Sequence, residues 1–444
     1  MRFHRLVCAL VCAGVLAACG DGPVPAPART QPNVLLISID TLRADRLSLY
    51  GHTRATTPFL ERFAQGARVF ERAYSPAPWT LISHMSMLTG LYPPQHGVIA
   101  GDLALAPEIP LLAERLAQAG WQTVGLYHPI WVLPRHGFAR GFDVYRPHED
   151  IVEAERHLQE ELARLDSARP TFLFVHLFDV HVGPIVKDQH SIYPAPEPYP
   201  DFFMPGATAR VPMYPDQLDP HDDDQREALA ALYDGGIRHV DDQLARWFAD
   251  LEQRGFLDNT LVVITSDHGE NLMERGRSTG HGHFWNEGIH VPLIVRFPDG
   301  HGSGERVAEL AHTADIAPTV LEACGLPPDP ALPGRSLRHA LPPERVILGE
   351  TDGSNLPRAY VMRGLRKIAR GMHGGYLASD LAVDPQEKHG TRLPDGTLFD
   401  QWWSEAFDAT RPFPAPVKIE EELSAEDLRE LEELGYGGAA EDEE

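Results

Sequence analysis

The 444-residue sequence is poor in cysteine, in positive charge and in long apolar runs. Of its four cysteines, Cys8, Cys12 and Cys19 stand near the start, and only Cys324 stands beyond, in "VLEACGLPP". If Cys8 and Cys12 leave with a leader and Cys19 carries lipid, Cys324 has no partner with which to close an internal disulfide, whatever the redox compartment. Cys324 reads as a small buried hydrophobe. Lys and Arg total 39 against 64 Asp and Glu, a formal net charge of −25. Nucleic-acid backbones are held by clustered Lys and Arg, so nucleic acid is excluded as a bulk partner. An anionic substrate needs local positive charge here, and a bound metal cation is its simplest source. Hydrophobic residues still make up 43% of the chain, which suits a full core.

Residues 1–18 read as a signal peptide. Arg2 and Arg5 precede an apolar run from Leu6 to Leu16 that is too short to span a bilayer. "LAAC" at 16–19 has the form of a bacterial lipobox, with cleavage before Cys19 and lipid on that cysteine. An ordinary signal peptide with a chance cysteine is the alternative. Residues 19–32 then form a lipid-anchored tether. The expectation is an exported protein, anchored to the membrane through Cys19 in the bacterial envelope (periplasm or outer membrane).

Several apolar runs read as strands buried on both faces: 34–39, 123–127, 172–178, 261–266 and 293–297. Helical patterns lie between them. The clearest runs from Arg226 to Gly255, with Ile237, Val240, Leu244, Trp247 and Leu251 on one face. This alternation predicts an α/β fold: a doubly wound, mostly parallel sheet flanked by helices, with a smaller C-terminal subdomain. The chain divides into a catalytic domain over 33–335, a subdomain over 336–423, and a terminal helix with an acidic tail over 424–444. Residues 184–225, rich in Pro, Asp and Tyr, form an insertion, read as a lid or substrate loop or as a surface excursion.

Polar residues cluster at the ends of three of these strands. "VLLISI" runs into Asp40, "LVVITS" into Asp267 and His268, and "FLFVHLF" into Asp179, with His181 two residues on. In a doubly wound sheet those ends border the ligand crevice. One Asp after a strand is a turn or cap, whereas three at one edge suit a cation, because adjacent carboxylates resist burial without one. "PWTLISHMSMLTG" at 78–90 adds a row of hydroxyls: Thr80, Ser83, Ser86 and Thr89. A helix from Thr80 or Leu81 to Gly90 puts Thr80 at its N-terminus, where free N–H groups favour an anion. Read by itself, Thr80 is an N-cap, and the other hydroxyls pack or bond back to the helix.

Read together, these stretches resemble the sulfatase family of the alkaline phosphatase superfamily. The resemblance runs from Asn33 to Tyr436 and includes "NVLLISIDTLRADRLSLYG", "SHMSMLTGLYPPQHGV", "VHLFDVHVGP", "TSDHGE" and "HTADIAPTVLEACGLP". It implies that Asp40, Asp267 and His268 bind a divalent metal and that His181 contacts the sulfate or phosphate. Thr80 falls where sulfatases carry the Cys or Ser that becomes formylglycine, and it would also face the metal. The departures are specific. The signature Cys/Ser-x-Pro-x-Arg reads "TLISH", so Ile82 replaces Pro and His84 replaces Arg. Thr41 replaces the second Asp of the usual pair. Two lysines of the family fall near His128 and His281.

Threonine cannot become formylglycine by the route used for Cys or Ser. Thr80 would attack in line and form an ester that water then releases. The expectation is a metal-dependent hydrolase (or group transferase) of sulfate or phosphate esters, phosphate slightly favoured, with Thr80 as nucleophile. His281 or His283 would act as leaving-group acid. His84, His128, His181 and Arg43 would contact the anion, Arg43 alternatively making an ordinary ion pair. The metal count is open at one ion or two: Asp40, Thr80, Asp267 and His268 follow the family's single site, and Asp179, His181 and His283 are candidates for a second. Mixed oxygen and imidazole ligands favour Zn or Mn, with Ca open by analogy. The substrate is a small-molecule or glycan ester. A catalytically silent surface lipoprotein that binds sulfated or phosphorylated glycans is the alternative.

Overall fold

The computed structural model describes residues 31–183, 191–276, 279–351, 358–371, 373–408 and 410–420. The stretches read above as signal peptide, tether (all but its last two residues) and terminal helix with acidic tail, Cys19 among them, lie outside the described residues. Among the described residues no helix is long and apolar enough to cross a membrane.

The centre is an eight-stranded sheet. Its strands are β1 (Asn33–Ile39), β2 (Arg68–Tyr74), β4 (Gln122–Tyr127), β5 (Val144–Pro147), β6 (Thr171–Leu177), β7 (Thr260–Thr265), β8 (His290–Arg296) and β9 (Arg306–His312), in the order β5-β4-β6-β1-β7-β8-β2-β9. The short strand β3 (Leu103–Ala104) stands apart and pairs with β15 (Val417–Lys418). Within the large sheet β8 alone runs against its neighbours; every other pairing is parallel. The apolar runs become strands because both faces are covered. Val34 and Leu36 enter one core layer, and Leu35, Ile37 and Ile39 enter the other.

Helices α2 (Thr80–Thr89), α4 (Leu112–Gln118) and α8 (Ile316–Ala323) fill the first layer. Helices α1 (Pro58–Phe63), α5 (Ile151–Leu162) and α6 (Asp223–Gln253) fill the second. The five residues expected on one face of α6 all lie in that second layer. Short α3 (Pro93–His96) follows α2, and α7 (Asn286–Ile289) leads into β8. In the described part of the insertion, Ile192, Tyr193, Ala207, Val211 and Leu218 are buried in the second layer, so this stretch packs onto the domain.

A separate antiparallel sheet follows, in the order β10 (Val346–Thr351), β11 (Arg358–Arg363), β12 (Arg366–Arg370), β13 (Tyr376–Asp380) and β14 (Thr391–Leu393). Helix α9 (Thr397–Ala406) covers it with Phe399 and Trp402.

Candidate active site

Parallel register sets the site. Ile39 of β1 is level with Leu177 of β6, and Ser38 is level with both His176 and Thr265. The next residues of β1 and β7 therefore emerge side by side at one edge of the sheet. Asp40, Asp267 and His268 are fully buried there. Thr41 turns the chain away from β1 at φ 54°, a left-handed value that strains a β-branched residue. Three bonds hold the turn. Thr41 N donates to Asp267 Oδ1 at 3.3 Å, Leu42 N to Ser266 Oγ at 2.9 Å, and Tyr233 Oη to the Thr41 carbonyl at 2.6 Å.

Helix α2 brings Thr80 to the same point. Trp79 occupies the N-cap position and Thr80 is the first helical residue, so Thr80 does not serve as the cap. Its Oγ1 lies 3.3 Å from Asp40 Oδ2 and 3.2 Å from His268 Nε2. His268 Nδ1 donates to the Gly269 carbonyl at 2.9 Å, which leaves the Nε2 lone pair facing the cluster. That nitrogen is 3.7 Å from Asp40 Oδ1 and 3.6 Å from Asp267 Oδ2. The other hydroxyls of α2 turn away. Ser83 bonds the Asp267 carbonyl and Ser75, Ser86 bonds His96, and Thr89 bonds back to Met85.

A divalent cation fits this arrangement. Asp40, Asp267 and His268 present one ligand atom each, all within 4.8 Å of one another. Asp40 Oδ1 and Asp267 Oδ2 are buried without a hydrogen-bond partner. Burial, then the charge of Asp267, pushes the Asp40 carboxyl well above its ordinary range. Burial acts the same way on Asp267, but His268 and His84 beside it hold that carboxyl below the ordinary value. Two carboxylates at this spacing call for a cation to be charged together.

A second group with the same spacing, His84, His176 and Asp267, reads instead as a supporting network. His84 Nδ1 donates to the Thr80 carbonyl at 2.9 Å, and its Nε2 lies 3.0 Å from Ser38 Oγ. Both ring nitrogens are thus occupied and the ring is fully buried, so His84 braces the start of α2 and does not face substrate. His176 Nε2 donates to Asp40 Oδ2 at 3.0 Å and orients that carboxylate. The sequence reading missed His176. Its signal was available: it stands inside "FLFVHLF", level with Ser38 and two residues from the level of Asp40.

The remaining expected residues divide. His181 and His281 meet, Nε2 to Nε2, at 3.4 Å, and the His281 ring centroid lies 4.7 Å from that of His268. His128 joins this wall through a stack, 4.2 Å from Phe178, which lies 4.2 Å from His181. Burial drives His181 down to about 3 and His128 and His281 well below the ordinary imidazole value, so the wall is neutral before substrate arrives. His283 packs its ring near Gly288. Asp179 does not join His181 and His283 in a second cage. Its Oδ1 accepts from Ile151 N at 3.0 Å, at the start of α5, and among the described residues no ligand group contains all three. Arg43 is also taken up: it pairs with Asp45 and Glu274, both at 2.8 Å, and bonds the Glu270 carbonyl.

Comparison with known proteins agrees with this architecture. The sulfatase family model matches residues 32–326, most of the chain. The chain belongs to the sulfatase family. It is a sulfuric- or phosphoric-ester hydrolase by that membership. Among sulfatase relatives, an ulvan-active sulfatase of Formosa agariphila is 25% identical over 81% of this chain and 77% of its own length. Human arylsulfatase A is 26% identical over 80% of this chain and 77% of its own. In fold, a phosphonate monoester hydrolase of Agrobacterium radiobacter superposes with a TM-score of 0.72 at 22% identity, covering 87% of this chain and 99% of that one.

Proposed function

We propose that this sulfatase-family protein hydrolyses phosphate or sulfate esters, phosphate slightly favoured, with Thr80 as nucleophile. The observation that carries the reading is the position of Thr80 Oγ1, 3.3 Å from Asp40 and 3.2 Å from His268, at the first turn of a helix. Asp40, Asp267, His268 and Thr80 would hold a divalent cation, zinc or manganese by their donor set, with calcium admitted by the family. Such an ion supplies Lewis acidity, lowering the hydroxyl pKa and neutralising the transferred oxygens.

The residues of the chain do the rest. Thr80 Oγ1 forms a bond to phosphorus or sulfur as the bond to the leaving oxygen breaks. Its proton passes toward Asp40 Oδ2, to which the hydroxyl already points. His281 protonates the leaving oxygen. The Pro78 carbonyl accepts from its ring and favours the charged form against burial and the neighbouring imidazoles, and an anionic substrate adds to that pull. Water then attacks the phosphorus or sulfur and gives its proton to His281, the bond to Thr80 Oγ1 breaks, and Asp40 returns the proton to Thr80 as the acid leaves. His128 and His181 line the anion's position. The substrate is a small-molecule or glycan ester, reached from a lipid anchor at Cys19 in the bacterial envelope.

The test is turnover of aryl phosphate, phosphodiester, phosphonate and sulfate esters by protein stripped with chelator and reloaded with zinc, manganese or calcium. Turnover that depends on metal and disappears in Thr80→Ala supports the reading. A metal-loaded protein that turns over none of the four but binds sulfated or phosphorylated glycans is the silent lipoprotein instead.

A further inference from the structure

The segment that carries His281 is soft where it matters. Gly280 and Gly282 flank the histidine at φ 134° and 109°, values that only glycine adopts freely. On the N-terminal side the segment is pinned one residue away, where Asn271 N donates to the Gly280 carbonyl at 2.7 Å. On the C-terminal side an anchor comes from the other sheet, three residues beyond His281.

Lys367 of β12 is 1% exposed. Its ammonium donates to the Phe284 carbonyl at 2.6 Å, to Asn286 Oδ1 at 3.4 Å and to Glu387 Oε2 at 2.6 Å. Two of its three donors are thus committed to the His281 segment. Glu387, 2% exposed and at φ 51°, accepts from Asn286 N at 2.8 Å through that same oxygen. Arg275 completes the joint. It bonds Glu287 at 2.7 Å, the carbonyls of Gln386 and Glu387 at 2.6 and 3.0 Å, and lies 4.0 Å over the Trp285 ring. The far end of the joint reaches the cluster, since Gly269 N, beside His268, donates to the Gly288 carbonyl at 2.9 Å.

A buried ion pair is a costly way to glue two surfaces, and apolar residues of like volume serve as well or better for stability alone. Its directionality suits the placement of a segment. We infer that Lys367 and Glu387 are positioning residues through which the C-terminal sheet holds His281 against the leaving group. This rests on the reading of His281 as leaving-group acid. Neither residue is assigned contact with substrate.

The test compares full-length wild type, Lys367→Arg, Lys367→Met/Glu387→Gln and His281→Ala. The double variant removes both charges together, so no unpaired ion remains buried. The first readout is kcat/KM for 4-nitrophenyl and phenyl esters of whichever acid the wild type hydrolyses. A misplaced acid hurts the poorer leaving group more, so the double variant should lose about 30-fold or more with phenyl and under about 3-fold with 4-nitrophenyl. Lys367→Arg should recover most of the phenyl loss, and metal content should stay at the wild-type level. The second readout is hydrogen exchange, which needs no turnover. Exchange should rise over 279–289 and stay unchanged in β1 and β7. Equal losses with both esters, or exchange raised throughout the fold, would reduce the pair to a general structural bond and overturn the inference. If His281→Ala itself shows no leaving-group dependence, the acid assignment fails, while the exchange pattern still decides whether the pair holds the segment.

Discussion

The two sides of the site are built differently. On one side Asp40, Asp267 and His268 follow directly from adjacent parallel strands, and the register of β1, β6 and β7 sets their spacing. On the other, His281 hangs between two glycines and is placed by bonds to a second sheet. The first side is stiff because the backbone hydrogen-bond ladder of a buried sheet leaves little freedom. The second depends on side-chain contacts between distant parts of the chain. A strand-borne site should lose chemistry without losing shape when a ligand is removed, whereas a loop-borne site should lose geometry first.

The largest expected effect lies on the stiff side. Thr80→Ala should cut kcat by at least about a thousandfold, as loss of a nucleophile does, with an unchanged circular dichroism spectrum. Activity within tenfold of wild type would remove the nucleophile from Thr80 altogether. Next, His281→Ala on the loop side should cost about a hundredfold or more in kcat/KM, concentrated on poor leaving groups. A uniform loss would make the two sides alike.

His176→Ala sharpens the comparison from behind the stiff side. It removes the partner that orients Asp40 and should weaken metal binding about 10- to 100-fold in a chelator competition, with the sheet intact. An unchanged affinity would show that register alone aims the carboxylate.

Asp179 tests a strand-end acid that turned away from the site. Burial raises its carboxyl to about 7, so the folded protein holds a proton there that the unfolded chain releases near 4. The native state then binds more protons between those values, and its stability falls as pH rises through them. Asp179→Asn should remove that decline, worth on the order of 1–3 kcal/mol by pH 8 in urea titrations, and leave metal content unchanged. Loss of metal from this variant would restore Asp179 to a second cage. The smallest effect is expected at Ser86, whose hydroxyl bonds His96 within the helix layer. Ser86→Ala should cost about 1 kcal/mol and leave turnover intact.

Much of the strand side was legible because a strand buried on both faces announces itself as an apolar run, and its end is marked by the first polar residue. That reading located β1, β4, β6, β7 and β8 and put Asp40, Asp267 and His268 at one edge. The antiparallel course of β8 was not legible, because an apolar run carries no direction. Strands β2, β5 and β9 escaped because charged residues interrupt them, as in "RVFERAY". His84, by its place in the family signature, and Arg43 were candidates for anion contact or for a structural bond, and the fold gave both of them structural partners. A side chain's chemistry is written in the sequence, but whether it is free to act depends on what stands beside it.

By itself the sequence determined the family, the doubly wound sheet and the identity of the cluster around Thr80. The sheet follows from local pattern, since apolar runs and the polar residues that end them are read over a few neighbouring positions, whereas the family and the cluster around Thr80 rest on the resemblance of several motifs in register. Only the tertiary structure decided that His176 supports Asp40, that Asp179 serves α5, and that Lys367, 86 positions beyond His281 in the chain, helps to hold that histidine's segment. Those are contacts between groups far apart in sequence. No local pattern encodes them, because they exist only after the sheets have closed around them.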